Sequence, residues 1–284
     1  MTNKGAVLFA RNNDKIDYVK QALFSAKRIK KHLNIPVSII TDSPKYLRSI
    51  DNENTFDEII EIDFISTNNN RRYHDGSVSS YLADFKNDIR YKAYELSPYD
   101  ETLLMDTDFV ICNDIFKYCF ESSDDFMIFK KSHDVSNSLD RYEFDRISDY
   151  TIDFYWATVV FFRKTELNKI FFNLVGHIQD EWEHYRRIYQ IRSSLFRNDY
   201  AFSIAIHIMN GYQSGSFSKP LPGTKLYSID KDILWKIDNN NLTFLVEKKD
   251  YLGEYTIVQT KNQNVHVMNK FSLERIINQE SNNE

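Results

Sequence analysis

The chain has 284 residues, of which 36 are lysine or arginine and 41 are aspartate or glutamate, and its formal charge is −5 at pH 7. Hydrophobic residues make up 42% of the chain and aromatic residues 15%, which excludes a disordered protein and supplies a sizeable core. Two cysteines are too few for a disulfide framework or a cysteine-based zinc module, and seven scattered glycines exclude the glycine-rich loops that hold phosphate through backbone amides.

The first hundred residues alternate between strand and helix patterns. The predicted elements are strands at Ala6–Ala10, Val37–Ile40 and Glu58–Ile62, a helix at Lys15–His32 and a short helix that begins at Ser43-Pro44. They are followed by a polar, turn-rich loop at 67–80, a helix at Tyr81–Leu96 and an apolar strand at Thr102–Met105. This alternation predicts an α/β fold with a mostly parallel central sheet and helices on both faces.

The second half of the chain is less regular. It is charged and irregular at Ser122–Tyr150, and its predicted elements are a strand at Asp153–Phe162, helices at about 165–177, 178–196 and 199–210, and short strands around Thr224–Ile229, Leu242–Val246 and Thr256–Val258. No linker divides the chain, so we predict one domain over residues 1–284. No run approaches the roughly 18 apolar residues of a membrane span, and no secretory signal is evident, so we expect a cytoplasmic protein without a membrane anchor.

Asp106 and Asp108 are the most informative residues of the sequence. They lie between the strand Thr102–Met105 and a second apolar run, Phe109–Cys112. Residues two apart in an extended chain face the same way, so both carboxylates can reach one divalent cation, and their hard oxygens suit Mn²⁺ or Mg²⁺. An aspartate-rich turn is the simpler interpretation, but two charges between apolar runs are costly unless a cation compensates them.

The segment Tyr91–Ile111, which contains Asp106-Thr107-Asp108, resembles the DxD region of the GT-A fold glycosyltransferases. The order of the first strands and helices is similar as well, and the likeness is closest to the retaining transferases of the glycogenin and galactosyltransferase type. The resemblance implies a GT-A, Rossmann-like fold. It also implies that residues 5–115 bind a nucleotide-sugar, while residues 116–275 supply the acceptor half and the segment that closes the metal site.

Two later segments extend this resemblance. Residues 264–270 resemble a segment whose histidine completes the metal site and whose lysine meets the diphosphate, although no glycine is present and the lysine comes two positions early. The likeness therefore implies His266 as a third metal ligand, after Asp106 and Asp108, and Lys270 as a diphosphate-binding residue.

The other segment, residues 198–202, is similar to a helix start whose polar residues face the donor sugar. It implies that Asn198 and Asp199 are the catalytic residues, although Arg197 stands where that family has an aspartate. The remaining nucleotide-sugar-binding candidates follow from their placement in this fold: Ala10, Arg11, Asn13, Asp42, Lys86, Arg90 and Thr107, with Lys86 and Arg90 expected on the helix before the acid pair.

The resemblance as a whole implies a hexosyl- or pentosyltransferase, retaining in its stereochemistry, that uses Mn²⁺ or Mg²⁺ and a UDP-sugar donor. Basic residues interleaved with aromatic ones would suit a nucleic-acid acceptor. The basic residues in question are Arg71, Arg72, His74, Lys130, Lys131, Arg186, Arg187, Arg192 and Arg197. One acceptor hypothesis is thus a hydroxymethylated or already glycosylated base of double-stranded DNA, modified by a phage-type enzyme in the host cytoplasm. A glycan or protein acceptor is the alternative.

Two other classes of protein remain open. A two-metal nuclease or phosphatase would use the same acid pair, but it would need further clustered carboxylates, and the sequence offers no clear second cluster. A non-catalytic nucleotide or nucleic-acid binding module would bind similar ligands without turnover.

The basic helix at 178–196 is also typical of a solvated helix with internal ion pairs to Glu181 and Glu183.

Overall fold

The structure of the chain, a computed structural model, describes residues 3–63, 69–86, 88–136, 145–148, 152–248 and 251–281. Its strands are β1 (Lys4–Ala10), β2 (Val37–Thr41), β3 (Glu58–Glu61), β4 (Asn70–Asp75), β5 (Ser79–Asp84), β6 (Glu101–Met105), β7 (Phe109–Val110), β8 (Phe126–Phe129), β9 (Ser132–Asp134), β10 (Trp156–Arg163), β11 (Lys219–Pro220), β12 (Lys225–Ser228), β13 (Ile233–Asp238), β14 (Asn241–Glu247), β15 (Tyr255–Lys261) and β16 (Val265–Val267). Its α-helices are α1 (Tyr18–Leu33), α2 (Pro44–Ile50), α3 (Ala93–Leu96), α4 (Lys117–Glu121), α5 (Glu166–Asp180), α6 (Trp182–Ile188), α7 (Asn198–Met209) and α8 (Lys270–Ser281).

Seven strands form the central sheet, in the order β11-β8-β10-β6-β1-β2-β3. Neighbouring strands are parallel except at β10, which is antiparallel to both β6 and β8. Helix α1 packs against β1 and β2, and α7 packs against β10. The predicted α/β fold, with a mostly parallel central sheet flanked by helices, is confirmed.

The register of this sheet brings several strand ends to one edge. β1, β2 and β6 run in the same direction, with Ala10 opposite Thr41, so their carboxyl ends lie side by side. Open α/β sheets bind their ligands at this edge. Since β10 runs the other way, its first residues reach the same edge, where the Asp106 N–H donates to the Thr158 carbonyl (2.8 Å).

Helix α1 begins at Tyr18, later than the apolar pattern predicts. The Asp17 carboxylate accepts the Lys20 N–H, as an N-cap does. The Asn13 side chain accepts the N–H groups of two residues that follow it, which holds them in a turn before the helix. The cap therefore sets the helix start, while the apolar face of the helix begins earlier in the sequence.

A second sheet brings the last part of the chain against the acid pair. Its order is β7-β16-β12-β9, with β16 antiparallel to β7 and parallel to β12. His266 of β16 lies opposite Phe109 of β7, the residue directly after Asp108. The β13-β14-β15 meander and α8 share one hydrophobic cluster with this sheet.

The segment before the acid pair differs from the sequence prediction. The loop at 67–80 and the helix at Tyr81–Leu96 are wrong, because β4 and β5 form an antiparallel hairpin. In the described part of 81–96, helical structure is confined to a 3₁₀ turn at Arg90–Lys92 and to α3. Residues 67 and 68 lie outside the described residues. Consequently Lys86 does not lie on a helix, and Arg90 lies on the 3₁₀ turn.

The hairpin has a physical reason. Its turn contains Gly76 at a φ of +72°, a conformation that favours glycine. Only Tyr73 and Ala83 of its two strands are buried, so the apolar pattern there is too sparse to separate strand from helix.

The second half of the chain holds more regular structure than predicted. Ser122–Tyr150 contains β8 and β9, although 137–144 and 149–150 lie outside the described residues. The helix predicted at 178–196 is also too long, because α6 ends at Ile188, shortly before Gln190 with a φ of +55°. Strands β11 and β13 were not predicted. Among the described residues no helix is long and apolar enough to cross a membrane.

Candidate active site

Two carboxylates and an imidazole meet at the edge of the central sheet. Asp106 and Asp108 lie in the turn between β6 and β7, and His266 lies on β16. One oxygen of each carboxylate and one nitrogen of the imidazole all lie within 4.8 Å of one another. Two hard oxygens and an imidazole nitrogen at this spacing fit a divalent cation such as Mn²⁺ or Mg²⁺. This largely buried group can therefore hold a metal ion.

Asp108 is held in its charged form by two partners from the end of the chain. Its Oδ2 lies 2.5 Å from Lys270 Nζ and 3.2 Å from His266 Nε2. Burial on its own would raise the pKa of Asp108, but the charge of Lys270 and the hydrogen bonds from Lys270 and His266 outweigh it and hold that pKa well below its usual range.

Asp106 has the opposite shift. Its Oδ1 accepts a hydrogen bond from Arg90 Nη1 (2.6 Å), and Arg90 Nη2 donates to the Thr158 carbonyl (3.2 Å). Burial raises the pKa of Asp106 to about 6 with help from the charges of Asp108 and Asp199, while Arg90 opposes the rise. The Asp106 carboxylate thus has less counter-charge than it needs, which an added cation would supply.

A buried lysine lies behind His266. Lys225, at the start of β12, is 0% exposed, and its Nζ lies 3.1 Å from His266 Nδ1 and 3.6 Å from the centroid of a Trp156 ring. Burial lowers the pKa of Lys225 to about 7, against the pull of three nearby carboxylates. Burial also lowers the pKa of His266 to about 4, so the imidazole is uncharged at neutral pH, as a metal ligand must be.

Asn198 and Asp199 begin α7 beside this cluster. Asp199 Oδ1 accepts the Ala157 N–H (2.9 Å), and Asp199 Oδ2 accepts a hydrogen bond from Arg197 (2.7 Å). Burial would raise the pKa of Asp199, but Arg197 and the Ala157 N–H bring it below its ordinary value. Both oxygens of this carboxylate are therefore engaged.

Arg11 and Lys86 form the wall beyond the end of β1. Arg11 pairs with Asp88 (2.7 Å) and Asp42 (3.4 Å), and Lys86 Nζ donates to the Asn12 carbonyl (2.8 Å). These contacts fix two positive groups at the same sheet edge as the acid pair.

One cavity joins most of the residues singled out from the sequence. Ten of them line it: Arg11, Lys86, Arg90, Asp106, Thr107, Asp108, Asn198, Asp199, His266 and Lys270. Three others do not line it. Ala10 is fully buried in β1, Asn13 holds the turn before α1, and Asp42 reaches the cavity only through its pair with Arg11.

The described lining of this cavity has an excess of positive charge. Its basic residues are Arg11, Arg71, Lys86, Arg90, Arg197 and Lys270, and its acidic residues are Asp106, Asp108 and Asp199. Aromatic rings of Phe9, Tyr18, Phe85 and Trp156 line the rest. Such a cavity suits a ligand that combines several negative charges with flat or apolar groups.

Some residues of the cavity could not be expected from sequence patterns. Arg71, anticipated in an acceptor-binding loop, lies on β4 with its guanidinium 5.3 Å from the Tyr73 ring and 5.6 Å from the Phe85 ring. An Asp-Gly pair at Asp75-Gly76 is a hairpin signal that would have placed Arg71 on a strand. Lys225 is an isolated lysine before a short strand and has no such signal.

The chain was compared with known proteins. No protein-family model matches it, and no curated protein matches it in sequence. Two structures of the glycosyltransferase GlyE of Streptococcus pneumoniae TIGR4 are similar in structure. One is 13% identical with a TM-score of 0.41, and the match covers 78% of this chain and 45% of that one. The apo form is 15% identical with a TM-score of 0.40, over 76% of this chain and 45% of that one.

The chain thus spans less than half the length of the GlyE structures that it matches. A likeness of this size carries no activity over to the chain. The function has to be inferred from the cavity itself.

Proposed function

We propose that the chain is a metal-dependent glycosyltransferase of the GT-A type, which moves a sugar from a nucleotide-sugar, with a UDP-sugar as the expected donor, to an acceptor hydroxyl. The observation that carries this proposal is the Asp106, Asp108 and His266 cluster, which lies in a cavity lined by six basic side chains. When a glycosidic bond to a diphosphate breaks, negative charge grows on the leaving group, and fixed positive charge nearby stabilises it.

Three residues would hold the ion in this proposal: Asp106, Asp108 and His266. The ion, Mn²⁺ or Mg²⁺, supplies positive charge to the diphosphate oxygens. Arg90 is suited to the same diphosphate because it is 1% exposed and anchored by two hydrogen bonds, while its buried Nε has no partner among the described residues. Lys270, on the Asp108 side of the cluster, supplies a second positive side chain for the diphosphate.

The donor extends away from the ion in two directions. Arg11 and Lys86 lie beyond the end of β1 and are assigned to the nucleotide, with Thr107 in the turn between the two acids. Ala10, Asn13 and Asp42 support that wall from behind. Asn198 and Asp199, at the start of α7, are assigned to the donor sugar.

The carboxylates of the cavity favour a retaining reaction. An inverting transferase needs a carboxylate base for the acceptor hydroxyl. Among the described lining residues the carboxylates are Asp106, Asp108 and Asp199, and Asp199 is engaged by Arg197 and by a backbone N–H. Two other carboxylates of the second half of the chain, Asp134 and Asp153, do not line this cavity, and Asp153 pairs with Lys130.

The acceptor is the less defined substrate. A hydroxymethylated or glycosylated DNA base is one candidate, and a glycan or protein hydroxyl is the alternative. Of the basic residues considered for a nucleic-acid acceptor, Arg186 and Arg187 pair with Glu183, while Arg197 lines the cavity. Both buried cysteines, Cys112 and Cys119, are free thiols, which fits the expected cytoplasmic location.

A turnover assay with a binding control tests the proposal. The purified chain is incubated with Mn²⁺ and a panel of UDP-sugars, and hydrolysis is measured alone and with three acceptors: a hydroxymethylated DNA duplex, an oligosaccharide and a protein. We expect the double variant Asp106→Asn, Asp108→Asn to lose at least about 100-fold of the turnover, because it removes both carboxylate ligands. An Asp114→Asn, Asp124→Asn variant, changed at residues outside the cavity lining, is the matched control.

The outcomes separate the classes of protein. Full turnover in the Asp106→Asn, Asp108→Asn variant would overturn the metal assignment. Cleavage of a phosphodiester without turnover of any nucleotide-sugar would instead identify a nuclease or phosphatase. Binding of UDP with no turnover by the unaltered chain, with any metal or acceptor, would identify a binding module.

A further inference from the structure

Both carboxylates that would hold an ion already carry a positive partner. Lys270 Nζ lies 2.5 Å from Asp108 Oδ2, and Arg90 Nη1 lies 2.6 Å from Asp106 Oδ1. An entering divalent cation needs oxygens of the same two carboxylates. Ion binding is therefore an exchange of one positive partner for another, rather than the filling of a bare acidic pocket.

The two positive partners differ in how firmly they are held. The Arg90 guanidinium is anchored a second time, by the Thr158 carbonyl, and the residue is 1% exposed. Lys270 is the first residue of α8, its side chain borders the cavity, and its other polar contact is the carbonyl of Met268 at 3.5 Å. A flexible four-carbon stem lets the ammonium move by several ångströms without moving the helix. Lys270 is thus the partner that can withdraw.

A third basic group also opposes a lone ion when its amine is protonated. Lys225 Nζ is buried 3.1 Å from His266 Nδ1, and no carboxylate of a described residue forms an ion pair with it. A divalent cation that enters alone therefore meets Lys270, Arg90 and Lys225 around two carboxylates. A diphosphate adds the missing negative charge and offers Lys270 a new partner.

We propose that Lys270 is an internal counter-ion of the acid pair, which competes with the divalent cation in the free protein and is released when a diphosphate binds. The proposal rests on the proposed function, since it needs a metal ion and a nucleoside diphosphate as ligands. It assigns Lys270 a second role beyond contact with the diphosphate: the residue weakens binding of the ion alone and so couples the two ligands. By linkage, the ion and the diphosphate strengthen each other by the same factor.

Calorimetric titration with Mn²⁺ tests this role in the unaltered chain and in Lys270→Met. Each protein is titrated without UDP and with saturating UDP, and the heats are corrected for the complex that Mn²⁺ and UDP form in solution. Lys270→Met keeps the length of the side chain and removes its charge. We expect Lys270→Met to bind Mn²⁺ about tenfold more tightly than the unaltered chain when UDP is absent, and the coupling between Mn²⁺ and UDP to fall by a similar factor.

The matched control is Lys164→Met. Lys164 follows β10, its N–H donates to the Asp100 carbonyl beside the start of β6, and it therefore lies at the end of the sheet opposite Asp106. We expect its Mn²⁺ affinity to equal that of the unaltered chain. Lys270→Gln serves as a second variant should Lys270→Met fold poorly, as judged by circular dichroism.

The direction in which the Lys270 variants change Mn²⁺ affinity decides whether the inference holds. If Lys270 only contacts the diphosphate, its removal leaves Mn²⁺ affinity in the absence of UDP unchanged, and the inference is overturned. Weaker Mn²⁺ binding in both Lys270 variants also overturns it. If the unaltered chain binds no Mn²⁺ even with UDP, the proposed metal-dependent function fails and the inference fails with it. If the unaltered chain binds Mn²⁺ only in the presence of UDP, and Lys270→Met does not bind Mn²⁺ more tightly, the inference is overturned while the proposed function stands.

Discussion

Asp106 and Asp108 are two residues apart, yet their surroundings move their pKa values in opposite directions. Lys270 and His266, which come far later in the chain, hold the pKa of Asp108 down, whereas burial and neighbouring carboxylates raise that of Asp106 to about 6. Their position two residues apart after a buried strand is enough to predict that the two carboxylates share a site, although the structure holds them in a turn and not in an extended chain. Their charge states could not be predicted, because partners from distant segments determine them.

Lys225 is the residue that sequence patterns missed most completely. It has no motif around it, and its importance comes from its neighbours: the Trp156 ring, His266 and, further off, three carboxylates. A buried lysine is costly, and burial lowers its pKa because the charged form loses its hydration.

The stability of the metal-free chain should therefore depend on pH through Lys225. The folded-state pKa of about 7 lies below the ordinary value of 10.5, so the unfolded chain binds this proton more tightly between those two pH values. Raising the pH through that window increases the free energy of unfolding. Relative to Lys225→Met, we expect the unaltered chain to gain up to about 3 kcal/mol between pH 7 and 9.5.

Urea unfolding at pH 7 and pH 9.5 measures this gain in the unaltered chain, in Lys225→Met and in Lys164→Met. Lys164 is a suitable control because its Nζ donates to the Ser97 carbonyl, far from Lys225 in the sequence. Lys164→Met should follow the unaltered chain. Equal changes in the unaltered chain and in Lys225→Met would show that the buried lysine does not titrate in this window.

At the scale of elements, the β4-β5 hairpin is the largest departure from the sequence prediction. Only two of the twelve residues in its strands are buried, so hydrophobic periodicity says little about them, and contacts with distant segments stabilise the hairpin. Asp75 forms two hydrogen bonds with Arg275 of α8 (2.7 and 2.8 Å), and the Ser77 N–H donates to the Tyr255 hydroxyl (2.9 Å). The hairpin in turn presents Arg71 to the cavity. A tertiary contact thus decides what the local sequence leaves ambiguous.

Removing the Arg275 contact should loosen the hairpin without unfolding the chain. The Asp75–Arg275 pair joins residues 200 apart, and its side chains are 18% and 48% exposed. We expect Arg275→Met to speed hydrogen exchange in residues 70–84 by about 2- to 10-fold and to change the free energy of unfolding by less than about 1 kcal/mol.

Hydrogen exchange followed by mass spectrometry measures this effect. Arg186→Met is the matched control, because Arg186 pairs with Glu183 within a single helix and joins no distant elements. Unchanged exchange in the hairpin of Arg275→Met would indicate that its other contacts, among them those with Tyr18, Tyr255 and Phe271, hold it without Arg275.

For the whole molecule, the strands that could be predicted from the sequence are those with a clear hydrophobic pattern. β1, β2 and β6 are buried along nearly their whole length, so their apolar runs were recognisable, and the alternation of strands and helices predicted that the sheet is mostly parallel. The second sheet was only partly predicted, since its strands are two to four residues long and its order depends on contacts between distant segments. The role of each site residue stays a prediction.

The hydrophobic cluster shared by the second sheet, the β13-β14-β15 meander and α8 should be essential to the stability of the whole chain. Leu273 of α8 is 0% exposed and packs in this cluster together with residues of β7, β14 and β16. We expect Leu273→Ala to lower the free energy of unfolding by about 2–5 kcal/mol, the usual cost of a cavity in a core. Leu167→Ala, at a residue 54% exposed on α5, should cost less than about 0.5 kcal/mol.

Urea unfolding of both leucine variants compares these costs. Similar losses in Leu273→Ala and Leu167→Ala would mean that α8 packs only loosely on the cluster. The comparison also bears on the site, because Lys270 lies one turn before Leu273 on the same helix.

The late position of β16 and α8 has a consequence for the nascent chain. His266 follows Asp108 by 158 residues, and a ribosome that adds 5–20 residues per second needs roughly 8 to 30 seconds to make that stretch. During this time Arg90 is already part of the chain as a partner for Asp106, whereas Asp108 has neither His266 nor Lys270 and can stay hydrated. The parallel strands can therefore assemble first, and the later segment that contains β16 and α8 both dehydrates Asp108 and brings the partners that make the dehydration tolerable.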